Sequence, residues 1–428
     1  MKEQLIPYSW AITYLKNIVL PTKGKKPTRL EDSSFAESVP YIDIKALESD
    51  QIDQYADIRS SKLFSENDIA IVWDGARCGW VAKARNGAIG STICALTPIK
   101  INSTYLYYYL LSKYSLINSR PRGVGIPHVD PNFLWSLEVP LPPLAEQKRI
   151  ADKLDVLFGQ LNIVQKAIER IPELIKNFRQ QILSSAVTGK LTEEWRKGKN
   201  LDKWEDESIG SLFNVQTGST PRRENNAYYN LGTIPWIKSG EVKNALIFNS
   251  NEYITELAIQ ETNAKIYPIN TILIAMYGEG KTRGQVGLLK IPAASNQAVA
   301  ALVNDKGYDI VTIKYVFFFC LSQYNKIRNQ AKGGNQPNLN LATIKKWGIS
   351  LPPQKEQEKI VKIIDSIFKK LEAIEQQYNA LKSKIEKLPQ ALLNKAFSGE
   401  LVEHLPSDGD AETLLKEIEQ LKRTISKK

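Results

Sequence analysis

Residues 141–182 read LPPLAEQKRIADKLDVLFGQLNIVQKAIERIPELIKNFRQQI, and residues 351–392 read LPPQKEQEKIVKIIDSIFKKLEAIEQQYNALKSKIEKLPQAL. Both stretches repeat an apolar side chain at alternating steps of four and three, the spacing of a coiled-coil helix face. An unpaired seam would leave each of these side chains in water, at about 1.5–3 kcal/mol apiece. We therefore predict two long helices that pair antiparallel through a seam formed by Ile150, Leu154, Leu157, Leu161, Val164, Ile168, Ile360, Ile364, Ile367, Leu371, Ile374 and Tyr378.

The ends of both helices carry start and stop signals. Pro143 and Pro353 suit a helix entrance, and Gly189 and Gly399 suit the residue just after a helix end. At a rise of 1.5 Å per residue, the seam predicts a rod of about 50 Å with a globular domain at each end. Proline inside a helix removes a hydrogen bond and clashes one turn back. Kinks or a short break are therefore expected at the two internal prolines, Pro172 and Pro389.

The long helices belong to a larger internal repeat. Residues 105–192 align with residues 315–402 at a constant offset of 210, without a gap, and 22 of the 88 aligned positions are identical. Upstream of this frame the two halves share only short anchors, and the loops between anchors differ in length. The anchors pair Trp10 with Trp204, the segment PYI at 40–42 with PWI at 235–237, and GSTICAL at 90–96 with NQAVAAL at 296–302. A common frame with two dissimilar inserts suits a reader of two targets, although drift of surface loops would leave the same pattern.

The inserts have the composition of mixed, strand-rich domains. Short apolar runs at 68–73 and 271–277 end in glycine-containing turns, as strands do. Residues 105–117 and 315–327 are predicted as short helices whose aromatic side chains pack in the core. The predicted fold class is α+β, with two globular mixed α/β domains separated by the two long helices. The predicted boundaries are 1–140 for the first domain, 141–192 for the first long helix, 193–203 for a linker, 204–350 for the second domain, 351–402 for the second long helix, and 403–428 for a tail with a short amphipathic helix.

Composition and charge narrow the functional classes. The chain has 428 residues, 43% of them hydrophobic, and a formal net charge of +11, which favours a polyanionic partner. A generic basic protein would carry the same charge. The three cysteines form no CxxC pair, and the first residues contain no apolar signal segment. We therefore predict a cytoplasmic protein with no structural zinc, no disulfide framework and no membrane span.

Local matches to enzyme motifs are incomplete. Residues 275–282, AMYGEGKT, approach a phosphate-binding loop, but the first glycine is absent and glycines follow where a helix should begin. The segment DPNF at 130–133 resembles a DNA amino-methyltransferase loop without its cofactor-binding partner. The tripeptide DIK at 43–45 is half of a nuclease signature. The two histidines, His128 and His404, have no metal-spaced partner. No catalytic residue, metal site or cofactor is predicted for this chain.

In combination, these motifs resemble the specificity subunit of type I restriction–modification systems. The carriers are LPPxxEQ at 141–147 and 351–357, the GxL stop at 189–191 and 399–401, and the insert–helix–insert–helix order, which covers essentially the whole chain. The resemblance implies that each insert is a target-recognition domain for one half of a bipartite double-stranded DNA site. It implies a non-catalytic subunit whose helices fix the gap and dock two methyltransferase (modification) subunits, to which restriction or translocase subunits can be added. It also implies that the C-terminal tail completes the first domain.

The DNA-contacting residues are predicted from chemistry, since the recognition domains vary within the resembled family. Basic side chains in glycine- and proline-rich loops reach phosphates and groove edges most easily. A solvated basic loop is the competing interpretation. The predicted DNA-binding residues are Lys23, Lys25, Lys26, Arg77, Lys83, Arg85, Arg120, Arg122, Arg222, Arg223, Lys281, Arg283 and Lys332.

Two other classes of function are compatible with the sequence. The chain could be a self-contained DNA methyltransferase or nuclease, which binding of a methyl donor by the isolated chain would favour. It could also be a structural coiled-coil protein, for which duplex binding would be absent or insensitive to salt.

Overall fold

The structure, a computed structural model, describes residues 7–49, 51–123, 125–278, 281–330 and 339–425. The chain divides into two compact units. The first unit contains residues 1–169 together with 379–428, and the second contains residues 170–378. Each unit has its own sheets and its own hydrophobic core. The domain boundaries expected from the sequence remain predictions, because they mark functional segments and not compact units.

Both units contain strands and helices, so the fold is mixed α and β, as predicted. The strands are β1 (Ala11–Tyr14), β2 (Val19–Lys23), β3 (Leu30–Glu31), β4 (Ser38–Ile42), β5 (Tyr55–Asp57), β6 (Ile69–Val72), β7 (Val81–Lys83), β8 (Ala88–Ile89), β9 (Ile93–Pro98), β10 (Glu138–Leu141), β11 (Glu205–Ser208), β12 (Asn214–Thr217), β13 (Ile234–Ile237), β14 (Ala245–Ile247), β15 (Tyr253–Ile254), β16 (Ile272–Ala275), β17 (Val286–Leu289), β18 (Ala294–Ser295), β19 (Val299–Val303) and β20 (Gly348–Leu351). The helices are α1 (Leu15–Ile18), α2 (Ile44–Ser49), α3 (Ser103–Asn118), α4 (Pro131–Trp135), α5 (Leu144–Ile168), α6 (Ile171–Val187), α7 (Glu193–Arg196), α8 (Ile209–Leu212), α9 (Glu256–Glu261), α10 (Ile310–Gln330), α11 (Leu341–Lys345), α12 (Gln354–Phe397) and α13 (Ala411–Ile425). Short 3-10 turns occur at Lys190–Thr192, Asn226–Tyr228, Ser239–Glu241 and Pro406–Asp408.

The two units repeat one sheet topology. In the first unit the strand orders are β1-β10, β2-β9-β6-β7 and β3-β5-β4-β8; in the second they are β11-β20, β12-β19-β16-β17-β14 and β15-β13-β18. The central strands β6 and β16 consist of apolar residues, half or more of them β-branched, and every one of their side chains is buried. The second unit adds β14, which pairs parallel with β17 and belongs to its longer insert.

Strand register confirms the sequence anchors upstream of the ungapped frame. Tyr41 pairs with Ala88 in a parallel ladder, and Trp236 pairs with Ala294 in the same way. The alignment of PYI with PWI is therefore an alignment of equivalent strands. The segments 90–96 and 296–302 likewise overlap the equivalent strands β9 and β19.

The two internal prolines have different consequences for the long helices. The first helix stops at Ile168 and restarts at Ile171, with Pro172 in the first turn of α6, where a missing N–H costs little. The second helix, α12, runs for 44 residues with Pro389 inside it. The predicted break is confirmed at Pro172, whereas Pro389 lies in an unbroken helix. Gly189 and Gly399 follow the helix ends with φ of 77° and 81°, a left-handed conformation that glycine adopts without strain.

Each unit packs the beginning of one long helix with the end of the other. In the first unit, Ile150 and Leu154 share a core with Phe397 near the end of α12. In the second, Ile360 and Ile364 at the beginning of α12 share a core with Leu183 near the end of α6. Inside each unit the two segments therefore meet with the sense expected of an antiparallel pair.

Burial along the predicted seam follows one pattern in both copies. Ile150, Leu154 and Leu161 are buried, and so are their counterparts at an offset of 210. Four seam side chains are half-buried, and Val164 and Ile374, which are also counterparts, are exposed by 43% and 45%. A full coiled-coil seam remains a prediction. The buried counterparts are Ile360, Ile364 and Leu371, and the half-buried side chains are Leu157, Ile168, Ile367 and Tyr378.

The C-terminal tail completes the first unit, as the resemblance implied. Helix α13 contributes Leu414 and Ile418 to the core that also contains Leu15 of α1. Lys100 forms an ion pair of 2.7 Å with Glu417 at the edge of this contact. In the residues that the structure describes, no helix combines the length and the apolar character needed to span a bilayer.

Candidate nucleic-acid interface

The first unit presents a turn and a hairpin that brace each other. The turn, residues 73–79, joins β6 to β7, and the hairpin is closed by two backbone hydrogen bonds between Arg122 and His128, of 2.8 and 2.9 Å. The Gly75 amide donates to the Pro127 carbonyl at 2.8 Å, and the Val129 amide donates to the Trp73 carbonyl at 2.9 Å. The hairpin is therefore fixed to the turn by backbone contacts on both sides.

A charged network lies where the hairpin meets the turn. Lys23, at the end of β2, lies 2.7 Å from one carboxylate oxygen of Asp74, and His128 Nδ1 lies 2.7 Å from the other. Burial alone would raise the pKa of Asp74, but the hydrogen bonds from Lys23 and His128 outweigh it and hold that pKa below its usual value. The Lys23 ammonium also lies 5.4 Å from the centre of the Trp73 ring. Lys23 thus has an intramolecular partner on the same face as the hairpin.

The remaining predicted cations near this network point to solvent. Arg122 is exposed, and Arg120 stacks 4.8 Å from the centre of the Phe133 ring while staying exposed. Lys25 and Lys26 follow β2 and are exposed. Of the predicted residues, Lys23, Arg120 and Arg122 therefore lie near the turn and the hairpin. Lys25 and Lys26 come just after β2 in the sequence.

The other three predicted residues of the first unit have structural partners. Lys83 lies 3.1 Å from Asp155 of α5. Arg77 forms an ion pair with Glu48, and the Arg85 guanidinium donates to the Ala46 carbonyl at 3.2 Å. These contacts tie the insert to neighbouring elements. DNA contact by these three side chains stays a prediction.

The second unit carries an equivalent turn between β16 and β17, of which residues 276–278 and 281–284 are described. Gly79 and Gly284 end the two turns with φ of 90° and 84°, and a Cβ on either would press on the isoleucine of the following helix, Ile117 or Ile327. Lys281 of this turn is exposed, and its carbonyl accepts a hydrogen bond of 2.9 Å from the Tyr324 hydroxyl. A strand, β17, follows the turn, so the partial phosphate-loop motif lacks the helix on which phosphate binding depends.

The other predicted cations of the second unit differ in their surroundings. Arg283 is half-buried, and Arg222 is exposed. Arg223 forms an ion pair with Glu252 and lies 4.8 Å from the centre of the Trp236 ring. The hydrogen bond from Arg223 lowers the pKa of Glu252 to about 2, against the opposing effect of burial. Lys332 lies outside the described residues.

The residues of the enzyme-like motifs have structural roles. Asp130 caps α4 by accepting a hydrogen bond of 3.0 Å from the Asn132 amide, and Asp43 accepts one of 2.8 Å from the Ala46 amide in α2. Lys45 is paired with Asp53. Within residues 7–49, 51–123, 125–278, 281–330 and 339–425, no cluster of histidine, cysteine and carboxylate side chains could hold a metal ion.

Two buried carboxylates of the frame were not singled out from the sequence. Glu146 and Glu356, the acidic residues of the two LPPxxEQ motifs, are 1% and 0% exposed. Glu356 accepts a hydrogen bond of 2.6 Å from the Thr192 hydroxyl, and Glu146 lies 2.6 Å from a ring nitrogen of His404. In each unit the carboxylate holds the segment that follows a GxL stop. The sequence signal for them was the glutamate that both LPPxxEQ motifs contain. A charged residue is seldom buried without a partner, so the structure shows the partner of each carboxylate.

The chain matches a family described as type I restriction modification DNA specificity domain, over residues 7–173 and again over 201–383. It is 26% identical over 416 residues to the type I restriction enzyme EcoBI specificity subunit of Escherichia coli, covering 92% of this chain and 86% of the relative. It is 29% identical over 365 residues to the EcoKI specificity subunit of E. coli strain K12, covering 80% and 77%. A third relative, the MjaVIII specificity subunit of Methanocaldococcus jannaschii, is 24% identical, with 92% and 94% covered.

Two solved structures share the fold. One chain, from work on complex assembly and conformational transition of the type I R-M system, superposes with a TM-score of 0.71 at 19% identity, covering 92% of this chain and 99% of its own. The HsdS subunit of Thermoanaerobacter tengcongensis gives a TM-score of 0.60 at 18% identity, covering 92% and 98%. The family match covers both repeated domains and most of the chain. The chain therefore belongs to the type I restriction–modification DNA specificity family, as a specificity subunit and not a catalytic one.

Proposed function

We propose that each of the two domains reads one half of a bipartite DNA site. The observation that carries this proposal is the duplicated fold with one turn in the same place in both copies. Residues 73–79 and 276–284 leave equivalent strands and end at equivalent glycines, yet they differ in length and side chains. A shared frame that presents different loops suits two different base sequences, because base readout depends on the side chains that reach the groove.

In the first domain, the braced turn and hairpin supply the reading surface. Lys23, Arg120 and Arg122 contribute positive charge there. The ion pair with Asp74 holds Lys23, and the backbone bonds between hairpin and turn hold Arg122, before DNA arrives. Preorganisation of this kind lowers the entropy cost of binding. In the second domain we assign the same role to the turn that contains Lys281 and Arg283, with Lys332 as a predicted further contact.

The long helices are the proposed spacer and docking element. The burial patterns of α5 and of the matching first part of α12 agree at all but one position, which supports one packing mode for both copies. We propose that they pair antiparallel through the predicted seam, fix the number of base pairs between the half-sites, and dock two methyltransferase subunits. Restriction subunits would be further partners of the same complex. The cytoplasmic location expected from the sequence stays a prediction.

Genome-wide mapping of methylated adenines tests this function. The chain would be co-expressed with the methyltransferase subunit encoded beside it, in a host without other adenine methylation. We expect one motif made of two short sequences separated by a gap of fixed length. A motif without a gap, or methyl-donor binding by the isolated chain, would favour a self-contained methyltransferase instead.

The second turn can be tested separately. Lys281→Ala combined with Arg283→Ala should weaken duplex binding and reduce the dependence of log K on log salt by about 2, one unit for each phosphate that the turn no longer neutralises. Lys306→Ala is the control, since Lys306 follows β19 at the end of the sheet away from this turn. An unchanged salt slope would remove the turn from the interface.

A further inference from the structure

A basic cleft in the second unit is not explained by the frame or by the predicted DNA loops. It has a volume of about 280 Å³ and lies between α6, α10, α12 and the segment that precedes β14. Three cationic residues line it: Lys176 and Arg179 from α6, and Lys243 from the segment before β14. Glu375 is the acidic residue in its lining. The cleft therefore carries an excess of two positive charges.

The acidic residue is already engaged. Arg179 lies 2.9 Å from Glu375, and its guanidinium stacks 5.3 Å from the centre of the Phe368 ring. The side-chain ammonium groups of Lys176 and Lys243 form no hydrogen bond or ion pair within the part of the chain that the structure describes. The two ammonium groups are thus available to an anion, beside a guanidinium whose position is fixed.

The backbone places Lys243 at this cleft firmly. The next residue, Asn244, has φ of 53°, and its side-chain oxygen accepts a hydrogen bond of 2.8 Å from the Val286 amide of β17. A left-handed conformation outside glycine is uncommon and persists only where surrounding contacts hold it. The segment that carries Lys243 is therefore anchored to the central sheet.

The cationic residues of this cleft have no basic counterparts in the other copy of the repeat. At the offset of 210, Lys176 corresponds to Glu386 and Arg179 corresponds to Pro389. Lys243 comes from the longer insert, next to β14, a strand that has no counterpart in the first unit. The first unit folds on the same frame without these cations, so the repeated fold does not require them.

The cleft is joined to the second turn by a direct contact. Tyr324 lines the cleft, and its hydroxyl donates to the Lys281 carbonyl at 2.9 Å. We propose that the cleft binds a backbone phosphate of the duplex that the second turn reads. This inference rests on the proposed function and extends it, because it assigns Lys176 and Lys243 to a contact that positions the duplex without reading its sequence.

The phosphodiester is favoured over an acidic peptide because of this contact with the turn. A duplex carries about one negative charge per 1.7 Å of helix axis. If it binds at Lys281, its backbone phosphates pass close to the residues around Lys281. Lysine ammonium groups are compact, strongly hydrated point charges that suit such a ligand. An acidic segment of a partner protein is a separate possibility, which duplex titration and copurification together distinguish.

The test uses the full chain copurified with its methyltransferase partner. Two duplexes of equal length are titrated over a range of NaCl concentrations: one carries the methylated motif, and the other has both half-sites scrambled. Lys176→Ala and Lys243→Ala should each weaken binding to both duplexes by the same factor, about three- to tenfold at low salt, and reduce the salt slope by about 1. Lys306→Ala removes the same charge at the far end of the sheet and serves as the matched control.

Several outcomes would overturn the phosphate contact. One is a salt dependence of duplex binding that is the same for Lys176→Ala, Lys243→Ala and Lys306→Ala. Another is a loss confined to the duplex with the motif, which would indicate base reading. Loss of the copurified partner with unchanged duplex binding would indicate an acidic protein ligand. Thermal stabilisation by inorganic phosphate at constant ionic strength, abolished by both variants while duplex binding is unchanged, would indicate a free-phosphate site. If the unmodified complex does not distinguish the two duplexes, the proposed function itself fails.

Discussion

Glu146 and Glu356 occupy the same position of the repeated frame, but their surroundings differ. Glu356 accepts hydrogen bonds from Thr192 and Arg196 at 2.6 and 2.8 Å, and from the Trp204 indole at 2.9 Å. All of these donors come from the segment between α6 and β11. The carboxylate therefore fastens the linker between the long helix and the second domain with three separate donor side chains.

Glu146 has a simpler environment. Its carboxylate lies 2.6 Å from His404, a residue of the tail segment that completes the first unit. The indole nitrogen of Trp10, the counterpart of Trp204, is buried without a hydrogen-bond partner among the described residues. One sequence motif thus makes two connections with different numbers of hydrogen bonds, and the difference lies in the segments that follow the GxL stops.

The largest predicted effect tests this inequality directly. Glu356→Ala should destabilise the second unit by about 3–5 kcal/mol, because it leaves the half-buried Arg196 guanidinium and two neutral donors, Thr192 and Trp204, without their acceptor. Glu146→Ala should destabilise the first unit by about 1–3 kcal/mol, the cost of leaving one partner unsatisfied. Hydrogen exchange followed peptide by peptide measures each unit by itself, since a chain of two units has no single unfolding free energy.

Equal losses in the two units would show that the additional hydrogen bonds of Glu356 contribute nothing. Glu356→Gln is the companion variant. It keeps the volume and the acceptor oxygen but removes the charge that faces Arg196, so a smaller loss than for alanine is expected.

The tail is the second point of comparison, because the first unit needs a segment from the far end of the chain. Ile418 of α13 is fully buried, so Ile418→Ala should destabilise the first unit by about 2–5 kcal/mol and leave the second unchanged. Leu421→Ala, in the same helix but 42% exposed, is the control and should cost much less. Equal changes of exchange rate in both units would contradict the assignment of α13 to the first.

Sequence reasoning succeeded where periodicity and repetition carried the information. The steps of four and three predicted the long helices, and the alignment of PYI with PWI paired two segments that form equivalent strands. Lys83 and Lys25 are both exposed, and charge alone could not show that Lys83 already has an acidic partner in Asp155. Partners distant in sequence become visible only after folding. The basic cleft was missed for the same reason, because its three cations come from a helix and an insert far apart along the chain.

The two internal prolines give a third comparison, with effects of opposite sign. Pro389→Ala should stabilise the first unit by up to about 3 kcal/mol, because it restores an N–H to the interior of α12. Pro172→Ala should destabilise by about 0.4–1 kcal/mol, because Pro172 lies in the first turn of α6, where its ring mainly restricts the unfolded chain. Amide exchange in the turn that precedes each proline is the measurement. Stabilisation by both variants would mean that the break after Ile168 is imposed by Pro172.

The smallest predicted effect concerns Glu252, the acidic partner of Arg223 in the second domain. Glu252 accepts a hydrogen bond from Arg223 and lies 2.8 Å from Lys238, and its pKa is lowered from 4.5 to about 2. A carboxylate with a lowered pKa stabilises the folded state above its unfolded pKa, and that contribution is lost as pH falls from about 4.5 toward 2. The pair is partly exposed, so the loss should be on the order of 1 kcal/mol. Hydrogen exchange corrected for its intrinsic pH dependence, measured on peptides around β13 and β15, should show this loss in the unmodified chain and a flatter profile in Glu252→Gln. Glu224→Gln, an exposed neighbour, should keep the original profile; if it flattens the curve equally, the pH dependence belongs to general surface charge and not to the Glu252 pair.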